Sequence, residues 1–119
     1  MWALNYRGYV FIQIKEYKEA AFDLNKAIYL DPQFAEAYCN RALLNLQTND
    51  LEGAKEDLQT AMSLNETLPY NYLHLGLYHQ KSGDFALALE QFNKAKAMNI
   101  DYRKIDLLID EMERQTNNF

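Results

Sequence analysis

Residues 35–68 read AEAYCNRALLNLQTNDLEGAKEDLQTAMSLNETL, and this stretch decides the fold. From Ala35 to Gln47 apolar side chains recur at helical spacing. Thr48-Asn49-Asp50 then breaks the pattern with three turn formers. A second helix is predicted from about Leu51 to Leu64, and Asn65-Glu66-Thr67 closes the unit.

Sliding the chain against itself by 34 residues repeats the pattern on both sides. Ala20, Ala54 and Ala88 align, as do Ala27, Ala61 and Ala95. Gly8, Ala42 and Gly76 align as small residues. Tyr17, Leu51 and Phe85 align as large apolar ones, as do Leu24, Leu58 and Phe92, and Leu4, Tyr38 and Tyr72. Three units fit, 1–34, 35–68 and 69–102, leaving 103–119 as half a unit. The breaks within units one and three are Lys15-Glu16 and Ser82-Gly83-Asp84. Between units lie Asp31-Pro32 and Asn99-Ile100-Asp101. Pro32 cannot continue a helix, whereas Pro69 sits where a first helical turn tolerates it. Helix propensity alone would not place alanines at a fixed 34-residue period. A close crossing of paired helices does, because only small side chains allow it. The small residues at 8, 42 and 76 are therefore expected to face those at 20, 54 and 88.

This pattern resembles the tetratricopeptide repeat, with 34 residues and two antiparallel helices per unit. The resemblance covers 1–102, and unit one ends Leu30-Asp31-Pro32 as that family's units do. It implies an all-α, right-handed α-solenoid of seven helices. Its domains would be 1–34, 35–68, 69–102 and a C-terminal solvating helix with tail, 103–119. Two features depart from the family. The aromatic of the first helix is Phe11 in unit one but Asn45 and His79 elsewhere, and the turn glycine survives only as Gly83, with Lys15 and Asn49 in its place. In the final segment Ile105, Leu108, Ile109 and Met112 form one apolar stripe, with Asp106, Asp110 and Glu113 on another face.

Positions 4, 8 and 11 of each first helix share one face, and 2, 5, 9 and 13 lie opposite. The resemblance implies that the opposite face lines a concave groove where partner segments bind. In unit one it carries Trp2, Asn5, Tyr9 and Gln13, with Tyr6 at its edge. Unit two contributes Cys39, Asn40, Leu43 and Gln47 beside Glu36, and unit three contributes Tyr70, Leu73, His74 and Leu77 beside Lys81. The candidate partner-binding groove is therefore Trp2, Asn5, Tyr6, Tyr9, Cys39, Asn40, Leu43, Gln47, Tyr70, Leu73, His74 and Leu77, apolar and aromatic with few charges. Such a face marks an interaction site. Lys18, Glu19, Asp23, Lys26, Glu52, Glu56, Asp57 and Glu90 are expected on a solvated outer surface of the second helices. Relatives that clamp heat-shock chaperone C-terminal carboxylates resemble one another in carrying Lys, Asn and Arg at set groove positions. The matching residues here are Asn5, Tyr9, Asn40, Tyr70 and His74, of which only Asn40 fits, so that ligand is not expected.

Composition narrows the function further. The 119 residues are 49% apolar and 24% charged, ordinary for one globular domain. Twelve basic against seventeen acidic residues give −5, which argues against nucleic acid and anionic membranes. Unit two carries 2 basic and 6 acidic residues, so the acidic excess is local. No apolar run is long enough for a membrane span, and the first residues lack the marks of a signal peptide, so a cytoplasmic location is expected. His74 and His79 are five apart and do not share a helical face as metal ligands would. Cys39 and His74 fall at neighbouring groove positions, but no third group orients them. The reading is thus a non-enzymatic scaffold or adaptor for a protein or peptide ligand, with no cofactor and no metal. The alternative is a self-associating assembly module, a homodimer or a fragment of a longer repeat protein. Met1 falls at the first position of a repeat with nothing to cover that end, which favours a cut array or a covering chain.

Overall fold

A computed structural model of the protein describes residues 1–117; residues 118 and 119 of the expected tail lie outside them. Seven helices follow one another: α1 (Trp2–Gln13), α2 (Tyr17–Leu30), α3 (Ala35–Gln47), α4 (Leu51–Leu64), α5 (Pro69–Lys81), α6 (Phe85–Ala97) and α7 (Ile105–Asn117). No strand occurs among the described residues. The chain is an all-α helical repeat.

The turn inside each repeat has one geometry reached by three residues. Lys15, Asn49 and Gly83 all have positive φ, at 64°, 67° and 83°. Gly adopts that region freely and Asn tolerates it, while Lys is strained there. The residue after each turn begins the second helix. Asp50 Oδ1 accepts from the Gly53 N–H at 3.0 Å and Asp84 Oδ1 from the Leu87 N–H at 3.2 Å. Glu16, at the same place in the first repeat, makes no such side-chain bond. Its extra methylene carries the carboxylate past the donor.

Two compact units divide the chain, residues 1–67 and 68–119. In the first, α1 pairs with α2 and α3 with α4, and α3 also packs on α2 and α1. Ala20, Leu24, Ala27, Ala54, Leu58 and Ala61 are all buried there. In the second, α5 pairs with α6 and α7 lies on α6. Leu73, Ala88, Phe92, Ala95, Ile105, Ile109 and Met112 form its core. The stripe expected on the last helix is thus the face it buries. Asp106, Asp110 and Glu113 remain exposed, and Asp106 meets Lys96 at 2.7 Å.

The small residues on the first helices face larger partners than expected. A Cβ added to Gly8 would lie 2.8 Å from Leu24 Cγ, and one on Gly76 would lie 2.4 Å from Phe92 Cε1. Position 8 of the repeat thus receives the large side chain at position 24, not the alanine at position 20.

The outer surface of the second helices also differs from expectation. Asp23 and Asp57 are not solvated, being 1% and 5% exposed. Arg7 grips Asp23 through Nε and Nη2 at 2.7 and 2.8 Å, and Arg41 grips Asp57 through the same two atoms at 2.8 Å each. Each pair joins the first helix of a repeat to its second, 16 residues on. A buried carboxylate needs such a bidentate partner, because desolvation penalises its charge. The third repeat has Leu75 and Gln91 at these positions. There an apolar and a neutral side chain replace the ions.

Candidate interaction faces

Unit 1 presents the open part of the candidate surface. Trp2 and Tyr6 stand one helical turn apart on α1, which stacks their rings at 6.0 Å and 15°. They are 72% and 61% exposed. Tyr9 is half-buried, and Gln13 and Gln47 are exposed. Asn40 Nδ2 donates to Asn5 Oδ1 at 2.9 Å, which ties α3 to α1. The bond leaves Asn5 Nδ2 as a donor and Asn40 Oδ1 as an acceptor. Asn5 itself is buried, as are Cys39 and Leu43 on α3. Burial, with the charge of Glu36 adding to it, pushes the Cys39 thiol above its ordinary pKa. A thiol held neutral in this way is a packing residue and not a nucleophile.

Unit 2 presents a more closed face. Leu73 is a core residue, and Tyr70 and Leu77 are half-buried against the same core. His74 is buried and meets Tyr70 edge-on at 6.0 Å. The Tyr70 hydroxyl donates to the Asp101 carbonyl at 2.8 Å, fixing α5 to the segment before α7.

The twelve candidates therefore fall into two classes. Trp2, Tyr6 and Gln47 are open, and Tyr9, Asn40, Tyr70 and Leu77 are half-open. Asn5, Cys39, Leu43, Leu73 and His74 lie within the packing. A first helix in a repeat buries two arcs, one against its own second helix and one against the next helix pair. In α1 the fully buried positions are 5, 8 and 12, so position 5 shares the covered side with Gly8 and Ile12.

Other exposed apolar residues were not among the candidates. Val10, Ile14, Phe22, Tyr29 and Leu30 are exposed, all in the first repeat. The signal was present in the alignment by 34. Phe22 stands where the later repeats have Glu56 and Glu90, and Tyr29 where they have Ser63 and Ala97. Among the described residues no group of three His, Cys, Asp or Glu could hold a metal ion. None of the described helices is long and apolar enough to cross a membrane.

A family model described as TPR repeat matches residues 8–49, and one described as tetratricopeptide repeat matches 35–68 and again 69–99. The chain belongs to the tetratricopeptide repeat family. Human tetratricopeptide repeat protein 13 is 36% identical over 84 residues, which cover 71% of this chain and 10% of that protein. Among solved structures, the first TPR domain of human RPAP3 superposes with a TM-score of 0.85 at 16% identity, covering 98% of this chain and 92% of that one. The first TPR of Spaghetti (RPAP3), bound to the HSP90 peptide SRMEEVD, gives 0.82 at 16% identity over the same shares. At such identities the likeness is one of fold.

Proposed function

We propose that this chain is a protein–protein interaction scaffold, and that unit 1 takes up a partner segment along the face of α1 and α3 bearing Trp2, Asn5, Tyr6, Tyr9, Asn40 and Gln47. The observation that carries this is the exposed Trp2–Tyr6 stack beside the Asn5–Asn40 amide pair. Two open aromatics in contact supply apolar area at little conformational cost, as hot spots do. The spare donor of Asn5 and spare acceptor of Asn40 suit the alternating C=O and N–H of an extended backbone. Cys39 and Leu43 form the packed floor. On α5, Tyr70 and Leu77 offer half-open edges, while Leu73 and His74 hold that helix in shape.

The family fold supports the reading in general terms, since the Spaghetti domain holds a peptide. The preferred segment here is apolar or aromatic and not an acidic C-terminal tail. At the positions matching a carboxylate clamp stand Asn5, Tyr9, Asn40, Tyr70 and His74, with no lysine or arginine among them. Arg7 and Arg41 are engaged by Asp23 and Asp57. An acidic tail would lose its charge-assisted bonds.

The test is capture of a partner protein from a lysate, followed by titration of its identified segment against Trp2→Ala, Tyr9→Ala and the double variant. The expected result is a loss of affinity of about ten-fold or more for each single variant, with helical content unchanged. Undiminished binding to the double variant would remove this face as the site. Leu73→Ala is unsuitable as a probe, because deleting a core side chain costs about 2–5 kcal/mol of stability whatever the ligand.

A further inference from the structure

We propose that the outer face of α1 is a seat for a further helix hairpin of this same repeat, packed on α1 as α1 and α2 pack on α3. The reason is a comparison that the chain makes with itself inside unit 1. On α3, Asn40 is bonded to Asn5 of α1, and Arg41 Nη1 donates to Asn25 Oδ1 of α2 at 3.1 Å. At 100° per residue, Ala37 and Leu44 lie on the arc between those two contacts. Both are buried, at 0% and 5% exposure, beneath the preceding hairpin. The residues 34 positions earlier on α1 are Ala3 and Val10, and both are exposed.

The arginine tells the same story in polar chemistry. Arg41 spends Nε and Nη2 on Asp57 and gives Nη1 to the hairpin before it. Arg7 makes the first two bonds, to Asp23, and leaves Nη1 for a further acceptor. Its side chain is 60% exposed where that of Arg41 is 30% exposed. The face around it is otherwise uncharged, with Ala3, Tyr6 and Val10. An occupant must therefore bring a helix pair that is uncharged opposite Val10. It must also carry a side-chain oxygen on its second helix, placed for Arg7 as Asn25 is for Arg41. A repeat of this chain's own kind meets each of these terms. The groove edge at Trp2 and Tyr9 lies to one side of this arc, so the seat is separate from the face proposed to hold a partner segment.

The experiment duplicates residues 1–34 in frame ahead of residue 1 of the full chain, which keeps the period and puts a second Asn25 sixteen residues before the resident Arg7. The readout is amide hydrogen exchange of the added residues. Protection of about ten-fold or more over an unstructured peptide is expected. That protection should disappear when the resident Val10 is changed to Glu, and weaken when the added Asn25 is changed to Ala. Val10→Glu in the unduplicated chain controls for folding, with Ala3→Gln as the substitute should that variant lose helical content. Added residues that exchange as an unstructured peptide would overturn the proposal, and so would protection that survives both resident substitutions. A concentration-dependent dimer of the unduplicated chain, abolished by Val10→Glu in sedimentation, would also overturn it by assigning the face to a second copy.

Discussion

Asp57 is buried, and its carboxylate is bonded by Arg41 and by Asn45 Nδ2 at 3.1 Å. Those bonds to Asp57 hold the Arg41 guanidinium above its ordinary pKa, so it is charged at every working pH. Arg41→Ala would strand the carboxylate with one amide. The expected loss is about 2–3 kcal/mol in a urea titration, below the full cost of breaking a buried pair because Arg41 is partly solvated. A loss under about 0.5 kcal/mol would mean that water replaces the guanidinium. Asn45 was legible as a departure from the family's aromatic, but its purpose was not, because nothing in the sequence said that Asp57 faces inward. Cys39 offers a second check. Its raised pKa leaves little thiolate below the ordinary value of 9.0, and its side chain is covered. At pH 8 Ellman's reagent should label the native protein at least about a hundred-fold more slowly than the urea-unfolded one. Equal rates would place the thiol at the surface.

At the scale of the helices, the 34-residue alignment carries more than a fold. Repeat three pairs Gly76 with Phe92, whereas repeat two has Ala42 and Leu58 at the same positions. The two choices keep one combined volume. Gly76→Ala should therefore cost about 2 kcal/mol, because its Cβ enters the Phe92 ring. The double change with Phe92→Leu should be milder than the sum of its parts, which thermal unfolding of the four proteins of the cycle would show. The first turn gives the opposite sign. Lys15 sits at φ 64° and Glu16 makes no cap bond. Lys15→Gly and Glu16→Asp should each raise stability by about 0.5–1 kcal/mol in urea melts, by removing strain and by adding the cap that Asp50 and Asp84 provide. Helix ends, turns and the amphipathic last helix were readable in advance because they depend on neighbours a few residues away.

For the whole molecule, charge and exposed apolar surface are distributed unevenly. The net charge is −5, and repeat one, with balanced charges, carries exposed Trp2, Tyr6, Phe22 and Tyr29. As carboxylates protonate, the repulsion that keeps copies apart falls. Solubility should pass through a minimum around pH 5, where the exposed aromatics are free to associate. Phe22→Glu with Tyr29→Glu should raise the protein left in the supernatant there, while shifting stability by less than about 0.5 kcal/mol. An unchanged minimum would mean that these two side chains do not drive association.

The amino-acid order alone determined the repeat, the seven helices and the small-against-large crossings, since each follows from periods of 3.6 and 34 residues. It also singled out Trp2, Tyr6 and Tyr9 as surplus to one helix–helix contact. Tertiary packing decided which of the twelve candidates are open. A first helix is covered on two arcs, and the second arc depends on the next hairpin, which local periodicity does not encode. That is why Asn5, Leu73 and His74 are inside, why Asp23 and Asp57 are buried ions, and why the face of α1 matching the covered face of α3 stands uncovered.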